Sequence, residues 1–157
     1  YTAAEVIVPK NKNLLVIGFS IYFTIQLGLP LRHWFFKDDV LWTEEGHRLS
    51  WRMMLRSKSG YGTIFIEENN KRTVINPGDY LTKNQIPMIY TQPDCLHQFV
   101  ELVGSEKQTC WDTPEITASF HVSVNGGGYN RLVDNKVNLY TTKRHRIKHD
   151  EWILFKP

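Results

Sequence analysis

The densest chemistry in the sequence lies between residues 44 and 56. Glu44, Glu45, His47, Arg48, Arg52 and Arg56 crowd one stretch that also holds Trp51, with Trp42 just before it. Arginines there could grip a carboxylate with both guanidinium nitrogens. His33 or His47 could exchange protons near neutral pH. The same residues would serve equally well in a salt-bridged surface loop, and spacing alone favours that plainer reading. The remaining polar pairs offer less. His145 and His149 sit four apart, a metal spacing only on a helix, and Lys143, Arg144, Arg146 and Lys148 around them repel a cation. That tract reads as a membrane-apposed or merely solvated basic strip. Cys95 and His97 are two apart and point to different sides of a helix, which reads as a core cysteine beside a surface histidine. No Gly-rich phosphate loop, nucleophile elbow or His-Glu-x-x-His zinc motif is present.

Composition bounds the rest. A chain of 157 residues, 41% apolar and 22% charged, is the size and balance of one globular domain, and its 13% aromatics predict a ring-rich core. Cys95 and Cys110 match no ligand or redox spacing; a disulfide, pairing elsewhere and two independent thiols all stay open. Nineteen basic residues against sixteen acidic give +3. A pI near 8.9 raises a nucleic-acid partner. No broad basic face or nucleic-acid motif supports one, and none is expected. The charge is unevenly spread: residues 1–36 carry only Glu5, Lys10, Lys12 and Arg32. A first residue that is tyrosine, with no cleavable signal peptide, reads as an excised or processed segment.

Residues 14–31 contain no charge and are apolar on every face of a helix, with Trp34-Phe35-Phe36 following as an interfacial aromatic belt would. This predicts a transmembrane helix, or the last part of one, ahead of a buried core helix, with Lys10 and Lys12 on the cytoplasmic side under the positive-inside rule. Alternation of Leu49, Trp51, Met53 and Leu55 with Ser50, Arg52, Met54 and Arg56 predicts a strand, Ser57–Gly60 a turn, and Tyr61–Glu68 with Arg72–Ile75 two further strands about a polar tip. Pro93 opens a helix running to about Gly104, carried by Leu96, Phe99, Val100 and Val103. Glu115–Val124 alternates cleanly as a strand, residues 125–128 turn, 129–134 pair back, and 137–140 is a short strand or extended piece. The fold class is α+β: an N-terminal apolar helix, then a small antiparallel sheet packed with one or two helices. Two regions follow, 1–36 as helix and exit and 37–157 as an extramembrane β-rich domain.

The order Leu29-Pro30-x-x-His33, then Trp42-Thr43-Glu44-Glu45-Gly46-His47-Arg48-x-Ser50-Trp51-Arg52-Met53-Met54-Leu55-Arg56, resembles the vitamin K-dependent gamma-carboxylase family. It looks most like the bacterial members of the horizontally-transferred-transmembrane-domain type. Asn76-Pro77-Gly78, Pro93-Asp94, Phe120 to Asn125, Arg131 to Leu139 and Trp152-Ile153 extend the resemblance from about Leu27 to the end. Leu49 departs from it where an aromatic is more usual, and Asp134-Asn135 where Asp-Pro is common.

The resemblance implies a membrane bundle followed by a lumenal or periplasmic domain. It implies a reaction that couples vitamin K hydroquinone oxygenation, with O2, to removal of a glutamate γ-proton and addition of CO2. The family's catalytic lysine lies upstream in the bundle and matches no lysine here, so the segment alone is expected to be inactive and to hold no cofactor. By motif, Leu29, Pro30 and His33 are the first candidates for binding the substrate glutamate, and Trp42, Ser50, Trp51 and Arg52 the second. Scaffold is the competing role, for Trp51 and Met53 above all, on the apolar face of the expected strand. No catalytic or metal-binding residue is assigned. The expected partners are the upstream bundle, membrane lipid and a peptide or protein glutamate. The expected location is a bacterial inner membrane with 37–157 in the periplasm. The alternative function is a peptide-binding or structural module of a membrane protein with another activity.

Overall fold

The computed structural model describes residues 9–52, 56–68, 71–108, 113–145 and 148–157. The chain begins with a long helix, α1 (Lys12–Leu31), which runs into a short 3-10 turn (Arg32–Phe35). Apolar side chains such as Leu14, Val16, Ile17, Phe19, Ile21 and Phe23 are exposed all round α1, and its one buried residue is Pro30. The continuous segment Lys12–Phe35 is long and apolar enough to cross a membrane. Its polar atoms are partly turned inward: Thr24 Oγ1 donates to the Ser20 carbonyl at 2.8 Å, as a hydroxyl in an apolar surrounding must.

The sheet domain follows a single turn of helix, α2 (Val40–Thr43), capped by the Asp39 side chain on Leu41 N–H. Strands β1 (Lys58–Glu68), β2 (Lys71–Ile75), β3 (Glu115–Val124) and β4 (Asn130–Arg131) form one antiparallel sheet in the order β2-β1-β3-β4. Alternation decides which face is covered. Ile64 and Ile66 of β1 lie opposite Ala118 and Ile116 of β3, and with Phe120 and Val122 they point into the core. Helices α3 (Ile86–Thr91) and α4 (Pro93–Lys107) lie between β2 and β3 in the chain. α4 sets Leu96, Phe99, Val100 and Val103 into the core, the i, i+3, i+4, i+7 stripe of an amphipathic helix. The tail closes the core with Leu132, Val133, Leu139, Trp152 and Ile153, tied by a Val133–Ile153 bridge. Rings pack edge to face, Tyr90 on Phe120 at 5.0 Å and Tyr80 on Phe99 at 5.8 Å.

The architecture is the α+β arrangement expected from the sequence, with four local corrections. Residues 49–52 form no strand: Leu49 (φ 66°) and Trp51 (φ 55°) are left-handed, a conformation incompatible with an extended run. Met53 and Leu55, which completed the expected alternation, lie outside the described residues. Ser57–Gly60 is no turn, because β1 begins at Lys58, where it pairs with Val124. α4 runs past Gly104 to Lys107, since Gly104 lies against the Tyr140 ring instead of ending the helix. Residues 137–140 turn, because the Asn138 amide oxygen accepts from Ile116 N–H and Tyr140 N–H at 3.1 Å each and replaces a ladder.

Candidate functional site

Pro30 begins the site. It stands in the last turn of α1, where helix carbonyls lack partners. Its own carbonyl receives His33 Nδ1–H at 2.7 Å. Arg52 then reaches the other ring nitrogen, Nη2 to Nε2 at 3.2 Å. A carbonyl can only accept and a guanidinium can only donate, so these contacts fix the His33 tautomer with hydrogen on Nδ1. His33 is buried by this arrangement. A second tie runs from Arg32 Nη2 to the Arg48 carbonyl at 2.8 Å. Gly46 completes the closure. Its φ of 70° suits glycine, and a Cβ there would lie 2.9 Å from the Phe36 ring and 3.0 Å from His33 Cα. Helix exit and the 44–52 loop therefore share one site.

Behind the loop is a buried ionic cluster. Glu44 accepts from Arg56 Nη2 at 2.6 Å and Lys58 Nζ at 3.0 Å. The Lys58 ammonium spends its other two hydrogens on the Trp42 and Thr91 carbonyls, at 2.7 and 3.0 Å. Burial pushes the Glu44 carboxyl up, against the pull of Lys58 and Arg56, and pulls the Lys58 ammonium down. Two cations on one carboxylate and three acceptors on one ammonium keep the pair charged. His47 Nε2 accepts from Arg56 at 2.6 Å, while its Nδ1 is buried without a partner. Burial first, then Arg56, Arg52 and Lys58, lower the His47 pKa.

A second cluster crosses the fold. Glu45 accepts from His149 Nδ1 at 2.7 Å and from Asp150 N–H at 2.8 Å. Asp150 is buried and accepts from Arg144 Nη1, His145 N–H and His145 Nδ1. Arg144 Nε also donates to Asp94 at 2.7 Å. Within the 143–149 tract, Arg144 and His149 are thus tied to the domain, by Asp94 and Glu45 from distant segments and by the neighbouring Asp150, while Lys143, His145 and Lys148 remain exposed. His97 corrects a related expectation: it is buried, with Nε2 at 2.9 Å from the Thr142 carbonyl. Cys95 is a half-buried free thiol that donates to Gln92 at 3.4 Å, and burial raises its pKa. Cys110 lies outside the described residues. Among the described residues no three His, Cys, Asp or Glu side chains converge as for a metal.

Between the two clusters opens a cleft of about 840 Å³. Arg32, Arg48, Lys143 and His145 line it together with Glu101 and Asp94. The expected site residues divide around it. Pro30 and His33 join Arg52 at the helix exit, and Leu29 is exposed one turn before His33. Ser50 is buried, and its hydroxyl donates to the His47 carbonyl at 2.6 Å. Trp42 is core: 1% exposed, its indole N–H donates to the Leu154 carbonyl at 2.8 Å. Trp51 is 68% exposed, which overturns its place on the apolar face of a strand. Sequence reasoning missed Lys58, Asp94, Arg144 and Asp150. The signal for them was charge balance: the 143–149 tract has too many cations to leave unpaired beside a domain holding buried acids.

The family model for the vitamin K-dependent gamma-carboxylase, lumenal domain, matches residues 11–157. No curated protein and no solved structure matches the chain. That span takes in the helix exit, both ionic clusters and the whole sheet, so the chain belongs to the vitamin K-dependent gamma-carboxylase lumenal-domain family.

Proposed function

We propose that the chain is the extramembrane portion, with its adjoining membrane helix, of a carboxylase-like membrane enzyme. In this reading the helix-exit site helps to hold the glutamate side chain that is carboxylated. The observation that carries it is the His33 ring, locked between the Pro30 carbonyl and Arg52 at the base of an apolar helix. Arg32 stands beside it on the cleft, and its Nε–H is buried without a partner. A carboxylate is the ligand such donors bind best.

The family's reaction needs a base stronger than any side chain, because a glutamate γ-proton is only feebly acidic. The cofactor of the family is vitamin K hydroquinone. The cleft does not suit its ring: charged side chains dominate the lining, Phe36 and Leu49 are its apolar members, and they form no slot between them. The hydroquinone, O2 and CO2 are therefore assigned to the upstream membrane bundle, and this domain to positioning. Pro30, His33 and Arg52 are the positioning residues, with Leu29 beside them. Ser50 and Trp42 hold the loop that presents Arg52. Trp51 is set apart by its exposure. The side of the membrane is the lumenal or periplasmic one, and a bacterial inner membrane of the horizontally-transferred-domain type is the assigned setting.

The test is the full-length protein in detergent or nanodiscs, assayed for hydroquinone epoxidation and glutamate carboxylation. Both activities are expected. Their joint absence with correctly folded protein would rule the enzyme reading out in favour of a binding or structural module.

A further inference from the structure

We infer that the tip of the 48–52 loop, through Leu49 and Trp51, inserts into the headgroup boundary of the bilayer beside the foot of α1. Leu49 is 62% and Trp51 68% exposed, and both hold a left-handed backbone that large side chains avoid. Ser50 between them is turned the opposite way, buried and bonded to the His47 carbonyl. The loop thus fixes two large apolar groups outward at the expense of backbone comfort. Leu49 is also among the residues that line the cleft, so the tip stands beside it.

Position names the partner. The tip is bonded directly to the end of the apolar helix, through Arg32 to the Arg48 carbonyl and Arg52 to His33. Trp34 and Phe35, 73% and 84% exposed, project from the same exit. Four large apolar groups therefore gather where a helix long enough to cross the membrane ends. Tryptophan beside arginine is the composition of the membrane–water interface: the rings sit among the headgroups and the guanidinium meets lipid phosphate. Arg48 supplies that cation: its side chain is exposed and only loosely shared with Asp94 at 3.4 Å. The occupant is thus lipid, and its consequence is geometric. Two points of anchorage, helix and loop tip, fix the tilt of the sheet domain and hold the cleft mouth close to the bilayer surface.

The inference rests on α1 lying in the bilayer, and the experiment separates the two. The full chain is reconstituted in vesicles of phosphatidylcholine and phosphatidylglycerol. An environment-sensitive fluorescent amino acid is placed at Leu49, at Ile21 in α1 or at Glu67 at the far end of β1. Quenching is measured with nitroxide-labelled lipid and with aqueous iodide. The expected result is lipid quenching with a blue-shifted emission at 21 and 49, and iodide quenching at 67. If 21 is quenched by lipid while 49 is quenched only by iodide, the loop inference is overturned and the membrane helix stands. If 49 is shielded from both quenchers, protein covers the tip and the inference is likewise overturned. If 21 escapes lipid as well, the membrane reading falls and takes this one with it.

Discussion

Lys58 shows how a single residue can join three parts of the structure. Its ammonium draws together the end of α2, the end of α3 and Glu44, and it is almost wholly buried. Removing one partner of a buried pair strands the other charge and costs about 3–5 kcal/mol. Lys58→Met is expected to lose stability of that order in denaturant melts, softened because Arg56 still faces Glu44. The double variant Glu44→Gln/Lys58→Met should recover part of the loss, and a double variant no better than the single one would contradict the pairing. His47 gives a pH signature. Its pKa in the fold lies below the ordinary value of 6.5, so the unfolded chain takes up that proton first as pH falls. The stability of the wild type relative to His47→Gln should therefore decline on acidification below about pH 6.5. A difference that stays flat with pH would remove His47 from the cationic cluster. None of this was legible in the sequence, where Lys58 reads as a turn residue and Glu44 and Glu45 as a surface pair. Contacts such as Glu45 with His149 join residues far apart in the chain, and no local pattern encodes them.

At the scale of elements, periodicity was informative wherever one face of a regular element is buried. β3 runs Glu115–Val124 as its alternation requires, and α4 follows its apolar stripe from Pro93. The loop between α2 and β1 was misread for a physical reason. Leu49 and Trp51, which opened the apparent alternation, are exposed and left-handed, so these two side chains share no buried face. The sheet itself depends on Gly62. A Cβ there would collide with the Ser119 carbonyl and the Phe120 ring across the β1–β3 pair, and the backbone carbonyl cannot swing away. Gly62→Ala should destabilise by about 1–3 kcal/mol, the usual scale of overpacking. Gly128→Ala, where nothing lies within 4 Å, should fall within about 0.5 kcal/mol of wild type. Equal effects of the two substitutions, measured by thermal melting, would mean that β1 and β3 are not paired in this register.

For the whole molecule, the division between an apolar helix and a charged domain was already visible in the distribution of charge. The feature invisible there is how the two meet. The exit turn, the 44–52 loop and the basic tract near the C-terminus converge on one cleft because buried acids draw them in. An α1 exposed on every face should make the chain aggregate or require detergent. A monodisperse, detergent-free preparation of residues 1–157 would count against a lipid-facing helix. The central claim, that the helix-exit site holds a glutamate side chain for a membrane-embedded reaction, is tested most directly in the full-length protein. The measurement is carboxylation rate against glutamate-peptide concentration for wild type and His33→Ala. We predict a KM for the peptide raised about tenfold or more, equivalent to about 1.4 kcal/mol of lost binding, while epoxidation without peptide is retained. An unchanged KM and rate in His33→Ala would contradict the account.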